Sequence, residues 1–237
     1  MAINLTCIIS PHIDDACLSL SETILDHDLG DNIIVLNVFT LTNYLYLGHK
    51  NRDKEFNSLS LATSTRMNEE LEFSRLLYHR SINYLPFFLG FKDAGLEEDV
   101  YIREERNSYF TNRIKKIQLI PQLRKFLDNF QEIEALLFPV GLGNHLDHIT
   151  LRKASEFFKD QYKTWFYADI PYANKYNSIT DVKKVLQMPK KTRSVKKFVP
   201  EAKVSLFKDI YKSQYYPAIE NDMVCIARNL GGEILFR

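Results

Sequence analysis

Short apolar segments rich in β-branched residues alternate with longer amphipathic ones through most of this chain. Residues 5–9, 32–39, 81–89, 135–140 and 165–167 read as strands. Residues 16–28, closed by Gly30, and 65–78, 112–130 and 150–159 read as helices. Strands alternating with helices of this length imply βαβ units with right-handed crossovers. The expected fold is α/β: a Rossmann-like three-layer α/β/α sandwich with a mostly parallel sheet. Pro86 argues for an edge or an irregular end at the third strand, because proline cannot donate to a ladder. At 237 residues and 45% apolar content, one domain spanning 1–237 can bury a sizeable core.

In an open sheet of this class, ligands bind beyond the carboxyl ends of the strands. Two strand ends here carry compact clusters of metal-type ligands. Ser10-Pro11-His12-Ile13-Asp14-Asp15 follows the first strand, and His145-Leu146-Asp147-His148 follows residues 135–140 across Gly141 and Gly143. Two such ends suggest one shared site built from segments far apart in sequence.

A mononuclear catalytic zinc takes about three protein ligands and keeps one position open for water. His12 and Asp15 lie three apart on a strand-to-helix turn, so both can face one ion. His148 is the better third ligand, because the following residues continue as a helix and fix its position. Hydrolysis also needs a carboxylate to take a proton from water and a donor to stabilise the oxyanion. Asp14 suits the first role. His145 suits the second if protonated, and Asp147 can help keep it so. Either cluster alone has an ordinary reading: an Asp-Asp pair caps a helix, and a lone histidine is a polar surface or core residue. Two clusters at two strand ends weigh against it. The first βα turn also lacks G-x-G-x-x-G, and its carboxylates would repel a pyrophosphate.

Composition narrows the partners. A net charge of +1 gives no strong field toward nucleic acid or an anionic membrane. No apolar run approaches the ~18 residues of a membrane span. Cys7, Cys17 and Cys225 show no C-x-x-C spacing and read as reduced thiols; with no basic leader before the first strand, a cytoplasmic protein is expected. Cys17, one turn into a helix, is expected to pack inward rather than ligate.

Three polar segments stand apart. Residues 41–64 read as a long loop covering substrate, or as a solvated insertion; His49 within it reads as a surface residue. The charged run 93–108 reads as a solvated face or an oligomer contact. The basic stretch 183–203 lacks the interleaved aromatics of a nucleic-acid surface and is expected to meet an anionic substrate part or solvent.

The paired clusters resemble those of the PIG-L/LmbE-like family of zinc-dependent N-deacetylases, whose motifs read (A/S)-H-P-D-D and H-x-D-H. Arg66-Met67-Asn68-Glu69-Glu70, Phe88-Leu89-Gly90-Phe91-Lys92-Asp93, Tyr167-Ala168-Asp169-Ile170-Pro171-Tyr172, and Lys203 with Tyr211-Lys212-Ser213-Gln214 resemble further family segments. The resemblance implies zinc on His12, Asp15 and His148, one ion per chain, with other divalent metals open to such a site. It implies Asp14 as general base, His145 as electrophile with Asp147 its partner, and Arg66 as a substrate contact. Ile13 replaces a frequent proline, Ala16 a frequent glutamate, and Gly143 a tyrosine that some members carry. The Ser-Pro-His-x-Asp-Asp-Ala form is similar to the branch accompanying surface-polysaccharide and secondary-metabolite pathways. The function implied is removal of an N-acyl group, chiefly acetyl, from an amino sugar or sugar conjugate. A catalytically silent sugar- or partner-binding protein, and phosphoesterase chemistry at the same metal, are the alternatives. No nucleic acid or membrane span is expected; a homo-oligomer is left open.

Overall fold

The computed structural model describes residues 5–45, 58–96, 107–186 and 192–236. Among them, β1 (Leu5–Ser10), β2 (Asn32–Asn37), β3 (Asn83–Phe88), β4 (Ile133–Pro139), β5 (Lys163–Tyr167), β6 (Thr192–Lys196) and β7 (Glu233–Phe236) form one sheet. Its order is β3-β2-β1-β4-β5-β7-β6. The first five strands pair in parallel, and β7 runs antiparallel to both β5 and β6. The helices are α1 (Asp15–Leu25), α2 (Leu59–Tyr78), α3 (Asn107–Lys116), α4 (Leu119–Leu127), α5 (Leu146–Ala154), α6 (Ile179–Leu186), α7 (Pro200–Ile210) and α8 (Ile219–Leu230).

The helices form two packed groups that make the outer layers of the α/β/α sandwich. α1, α2 and α8 pack on α7, while α4 and α5 pack on α3. Strands between such layers are covered on both faces, so they read as continuous apolar runs. Cys7, Ile8 and Ile9 of β1, Ile33 to Leu36 of β2 and Ala135 to Phe138 of β4 are all buried accordingly. β3 is the edge strand that Pro86 foretold, and Leu85 on it is 52% exposed.

Several boundaries differ from the sequence reading. α2 starts at Leu59 rather than 65, where the Ser58 hydroxyl accepts the Leu61 amide, so the end of the segment read as a loop is helix. The single helix expected over 112–130 is two helices, because Gln118 turns left-handed at φ 53°. α5 begins at Leu146 instead of 150, because His145 caps it. The antiparallel pair β6 and β7 was not foreseen: each is short, and each takes its partner from far along the chain. The basic stretch 183–203 contributes to α6, β6 and α7, and its Lys196 pairs with Asp26 and Asp28. His49 and most of the charged run 93–108 lie outside the described residues.

The fold sets the site at one place. β2 and β3 extend the sheet on one side of β1, and β4 and β5 extend it on the other. The chain segments leaving β1 and β4 therefore diverge and open a crevice at their carboxyl ends. Both ligand clusters begin there.

Candidate active site

The first cluster is a tight turn held by its own groups. The Ser10 hydroxyl donates to the His12 carbonyl at 2.7 Å, and Asp15 Oδ2 accepts the His12 backbone N–H at 2.9 Å. His12 and Asp15 thereby share one side of the turn. In the second cluster, Gly141 and Gly143 adopt φ values of 80° and 76°, which glycine tolerates at no steric cost. This reversal puts His145 at the N-cap of α5 and His148 within its first turn. The rings of His12, His145 and His148 meet with centroids 4.9 to 5.2 Å apart.

Each of the three histidines offers a nitrogen within 4.8 Å of the others, a grouping able to hold a metal ion. Asp15 enters the same space: its Oδ2 lies 3.1 Å from His12 Nδ1 and 3.3 Å from His148 Nε2. Neighbouring donors at ~2.0–2.1 Å around a tetrahedral zinc stand about 3.3 Å apart. The two separations of Asp15 Oδ2 from the histidine nitrogens lie near that value. His148 Nε2 is buried without a hydrogen-bond partner, a state that a bound cation would relieve.

Carboxylates behind the rings fix their orientation, as they do around metal-binding histidines generally. Asp169 accepts from His148 Nδ1 at 2.6 Å and from the Gly141 and Leu142 amides at 2.8 and 2.9 Å. Nε2 of His148 is thereby turned to the cluster. Asp147 Oδ2 accepts from His12 Nε2 at 2.9 Å and from the Ala94 amide at 2.8 Å, and Arg113 donates to Oδ1 at 2.6 Å. Burial opposes protonation of His12, but hydrogen bonds to Asp147 and Asp15 outweigh it and lift the ring to about 10. Burial likewise opposes ionisation of Asp15 and Asp147, yet His148 beside the first and His12 beside the second hold both carboxylates well below their usual range.

Two details of the second cluster depart from expectation. The Asp147 carboxylate faces His12 and Arg113; its link to His145 is the backbone amide, which donates to His145 Nδ1 at 3.3 Å. Nor is His145 held protonated. Burial, reinforced by His12 and His148, pushes its pKa well below the ordinary value. With Nδ1 accepting an amide proton, the neutral ring carries its hydrogen on Nε2.

Along α2, positions 66, 69 and 70 lie on one face. Arg66 Nη2 donates to Asp14 Oδ1, so it pairs with the expected base and forms no local pair with Glu69 or Glu70. Glu69 accepts the Ser213 amide and hydroxyl at 2.7 and 2.6 Å. Glu70, fully buried, accepts the phenols of Tyr84 and Tyr211. Lys203 is buried too and joins Glu233, which also accepts the amide and hydroxyl of Thr23 on α1. The weaker sequence motifs are thus largely scaffold that locks α1, α2 and residues 211–214 around the site. Cys17 packs in the core, and burial raises its thiol well above the ordinary value.

These walls enclose a cavity of about 490 Å³. His12, Asp14, Asp15 and His145 form part of its lining, with Arg66, Asp93, Gln214, Tyr44, Tyr172 and Tyr216 around them. Five of the seven residues singled out in sequence line this cavity, and the other two, Asp147 and His148, are buried against His12 behind it. Sequence reasoning missed Asp169 and Arg113. Asp169 had a signal, the aspartate of Tyr167-Ala168-Asp169-Ile170-Pro171-Tyr172; Arg113 stood in an ordinary amphipathic helix and had none.

Comparison with solved structures returns the same architecture. A teicoplanin deacetylase in complex with teicoplanin is 16% identical, with 98% of this chain and 97% of that chain covered and a TM-score of 0.66. N,N'-diacetylchitobiose deacetylase from Pyrococcus horikoshii is 19% identical, with 100% and 83% covered and a TM-score of 0.59. A zinc-inhibited form of teicoplanin deacetylase is 16% identical, with 94% and 86% covered and a TM-score of 0.58. Identities this low speak to the fold. No curated protein sequence matches the chain. The sequence profile described as PIG-L, GlcNAc-PI de-N-acetylase, matches residues 7–157. That match takes in both ligand clusters and more than half of the chain, and the protein belongs to the PIG-L family.

Proposed function

We propose that this protein is a metal-dependent hydrolase that removes an N-acyl group, chiefly acetyl, from an amino sugar or sugar conjugate. The observation that carries this reading is the set His12 Nδ1, Asp15 Oδ2 and His148 Nε2, spaced for one ion on a cavity that also holds Asp14 and His145. His12, Asp15 and His148 hold the cation, zinc by this ligand set, although iron, cobalt or manganese suit the same donors. When bound, it polarises the amide carbonyl and lowers the pKa of water.

The chain's own groups do the rest. Asp14 accepts a proton from the attacking water and passes it to the leaving amine nitrogen, acting as base and then acid. Arg66, paired with Asp14, sets the carboxylate's direction and stands at the substrate's edge. His145 donates Nε2–H to the oxygen on which charge develops, a role open to a neutral ring. Asp147 holds His12, and its amide holds His145. Tyr44, Tyr172 and Tyr216 offer apolar faces for a sugar ring, while Asp93 and Gln214 offer hydrogen bonds to its hydroxyls. The description of the family, a teicoplanin deacetylase in complex with teicoplanin and a diacetylchitobiose deacetylase among the solved relatives support this substrate class. A reducing, cytoplasmic setting accords with three free cysteines, two of them buried; no described helix is long and apolar enough to cross a membrane.

The test is acetate release from N-acetylglucosamine, diacetylchitobiose, and lipid-linked and nucleotide-linked N-acetylamino sugars, before and after chelation. Release that stops with chelator and returns with zinc, cobalt or manganese is expected. Metal-loaded protein that frees no acyl group from any of them, yet hydrolyses a phosphoester, would replace this reading.

A further inference from the structure

Arg113 lies on α3, far in sequence from both clusters, yet is only 6% exposed and reaches the back of the site. Its Nη2 donates to Asp147 Oδ1 at 2.6 Å and its Nη1 to Thr150 Oγ1 at 2.7 Å. The Thr150 hydroxyl in turn donates to the Leu146 carbonyl at 2.7 Å. The guanidinium carbon also stands 4.8 Å from the centroid of the Phe39 ring. One planar group therefore grips the first turns of α5 at two points three residues apart and rests on an aromatic face.

We propose that Arg113 is a positioning residue for the metal site, acting through Asp147 to set the orientation of His12. The proposal rests on reading His12 as a metal ligand. Asp147 is fully buried, and each of its oxygens has defined donors. Arg113 takes Oδ1, which leaves Oδ2 to the Ala94 amide and His12 Nε2. An ionised carboxylate only accepts hydrogen bonds. A proton therefore sits on Nε2 on that face of the ring, and Nδ1 is the nitrogen turned toward Asp15 and His148. Without the guanidinium, the carboxylate loses the contact that fixes its plane and is free to rotate away from the ring. Lysine keeps the charge but cannot reach Asp147 and Thr150 at once or stack flat on Phe39. It should restore part of the effect.

The experiment measures zinc affinity by competition with a chromophoric chelator, alongside unfolding midpoints. It uses wild-type protein, Arg113→Ala, Arg113→Lys, Asp147→Asn, the Arg113→Ala/Asp147→Asn double variant and His12→Ala. Partners of this kind behind a metal-binding histidine change affinity ~10- to 100-fold. Arg113→Ala should weaken zinc binding by that factor and Arg113→Lys by less. The double variant should bind about as weakly as Asp147→Asn alone, because both changes break one relay. Additive losses in the double variant overturn the relay. So does a lowered unfolding midpoint with unchanged zinc affinity, which marks a merely structural role. If Arg113→Ala does not fold, the comparison of Arg113→Lys with wild type decides. If wild type and His12→Ala bind zinc alike, the ligand assignment falls. If only His12→Ala loses zinc and the Arg113 variants match wild type, that assignment stands and the role given to Arg113 falls.

Discussion

Gly143 and Tyr172 compete for one space. A Cβ on Gly143 would lie 2.5 Å from Cδ1 of the Tyr172 ring and 2.7 Å from its Cγ. The same ring stands 5.3 Å from that of His148 and 6.0 Å from that of His145. Glycine at this position makes room for an aromatic wall arriving from another segment.

Gly143→Ala should therefore push Tyr172 off the histidines, with added strain from the backbone at φ 76°. A loss of about 1–3 kcal/mol in stability is expected, together with slower turnover. Adding Tyr172→Ala removes the ring contacts and leaves only the one with Cβ at 2.9 Å, so the double variant should lie closer to Tyr172→Ala than additivity allows. Denaturant titration of the three variants checks this; strictly additive losses would contradict the overlap.

Asp14 and Asp15 are neighbours to which the proposed mechanism gives different tasks. Asp14→Asn keeps the shape but removes the proton acceptor, and should leave zinc bound while slowing turnover ~10²-fold or more. Asp15→Asn replaces an anionic ligand by a neutral one and should lose zinc. Metal content and acetate release measured side by side decide; zinc lost from Asp14→Asn and retained by Asp15→Asn would reverse the assignment.

Arg66 pairs with Asp14 at the cavity wall. Arg66→Ala should lower kcat by about 10-fold, less than the ~10²-fold or more expected for loss of the base itself because the Asp14 carboxylate stays, with a smaller change in KM. A variant in which only KM rises would make Arg66 a binding group alone.

The Lys203–Glu233 pair is fully enclosed. Lys203→Met leaves a buried carboxylate unpaired and should cost about 3–5 kcal/mol. Lys203→Met combined with Glu233→Gln should recover a substantial part of that loss. Urea unfolding of the single and double variants measures both; equal losses would mean the carboxylate is satisfied by Thr23 and the α1 amides without lysine.

Glu70 gives a pH signature. Burial raises its pKa from 4.5 to about 7, although two tyrosine hydroxyls favour the ionised form. Between those values the folded state holds a proton that the unfolded chain has released. Its contribution to stability is therefore full below about 4.5, falls as pH rises toward 7, and levels off beyond. Glu70→Gln should remove this slope, changing the wild-type-minus-variant difference by on the order of 3 kcal/mol across the window. A difference that stays constant from pH 4 to pH 8, measured by denaturant unfolding, would contradict it.

Local patterns determined much of this protein. The alternation of apolar and amphipathic segments sufficed for the α/β class, because strands buried on both faces must be apolar throughout. His12, Asp14 and Asp15, and likewise His145, Asp147 and His148, were legible because each trio sits on one short turn at a strand end, where spacing alone decides what can face an ion. Tertiary structure decided what depends on distant partners. It placed β1 beside β4 and so joined the two trios. It gave Asp147 to His12 rather than His145, brought Asp169 to His148, and set Arg113 on Asp147 across 34 residues of chain. It also made His145 neutral, since burial beside two other histidines is a property of the assembled site. Hydrogen bonds and desolvation of this kind arise only once the layers close, and nothing in the spacing of residues along the chain encodes them.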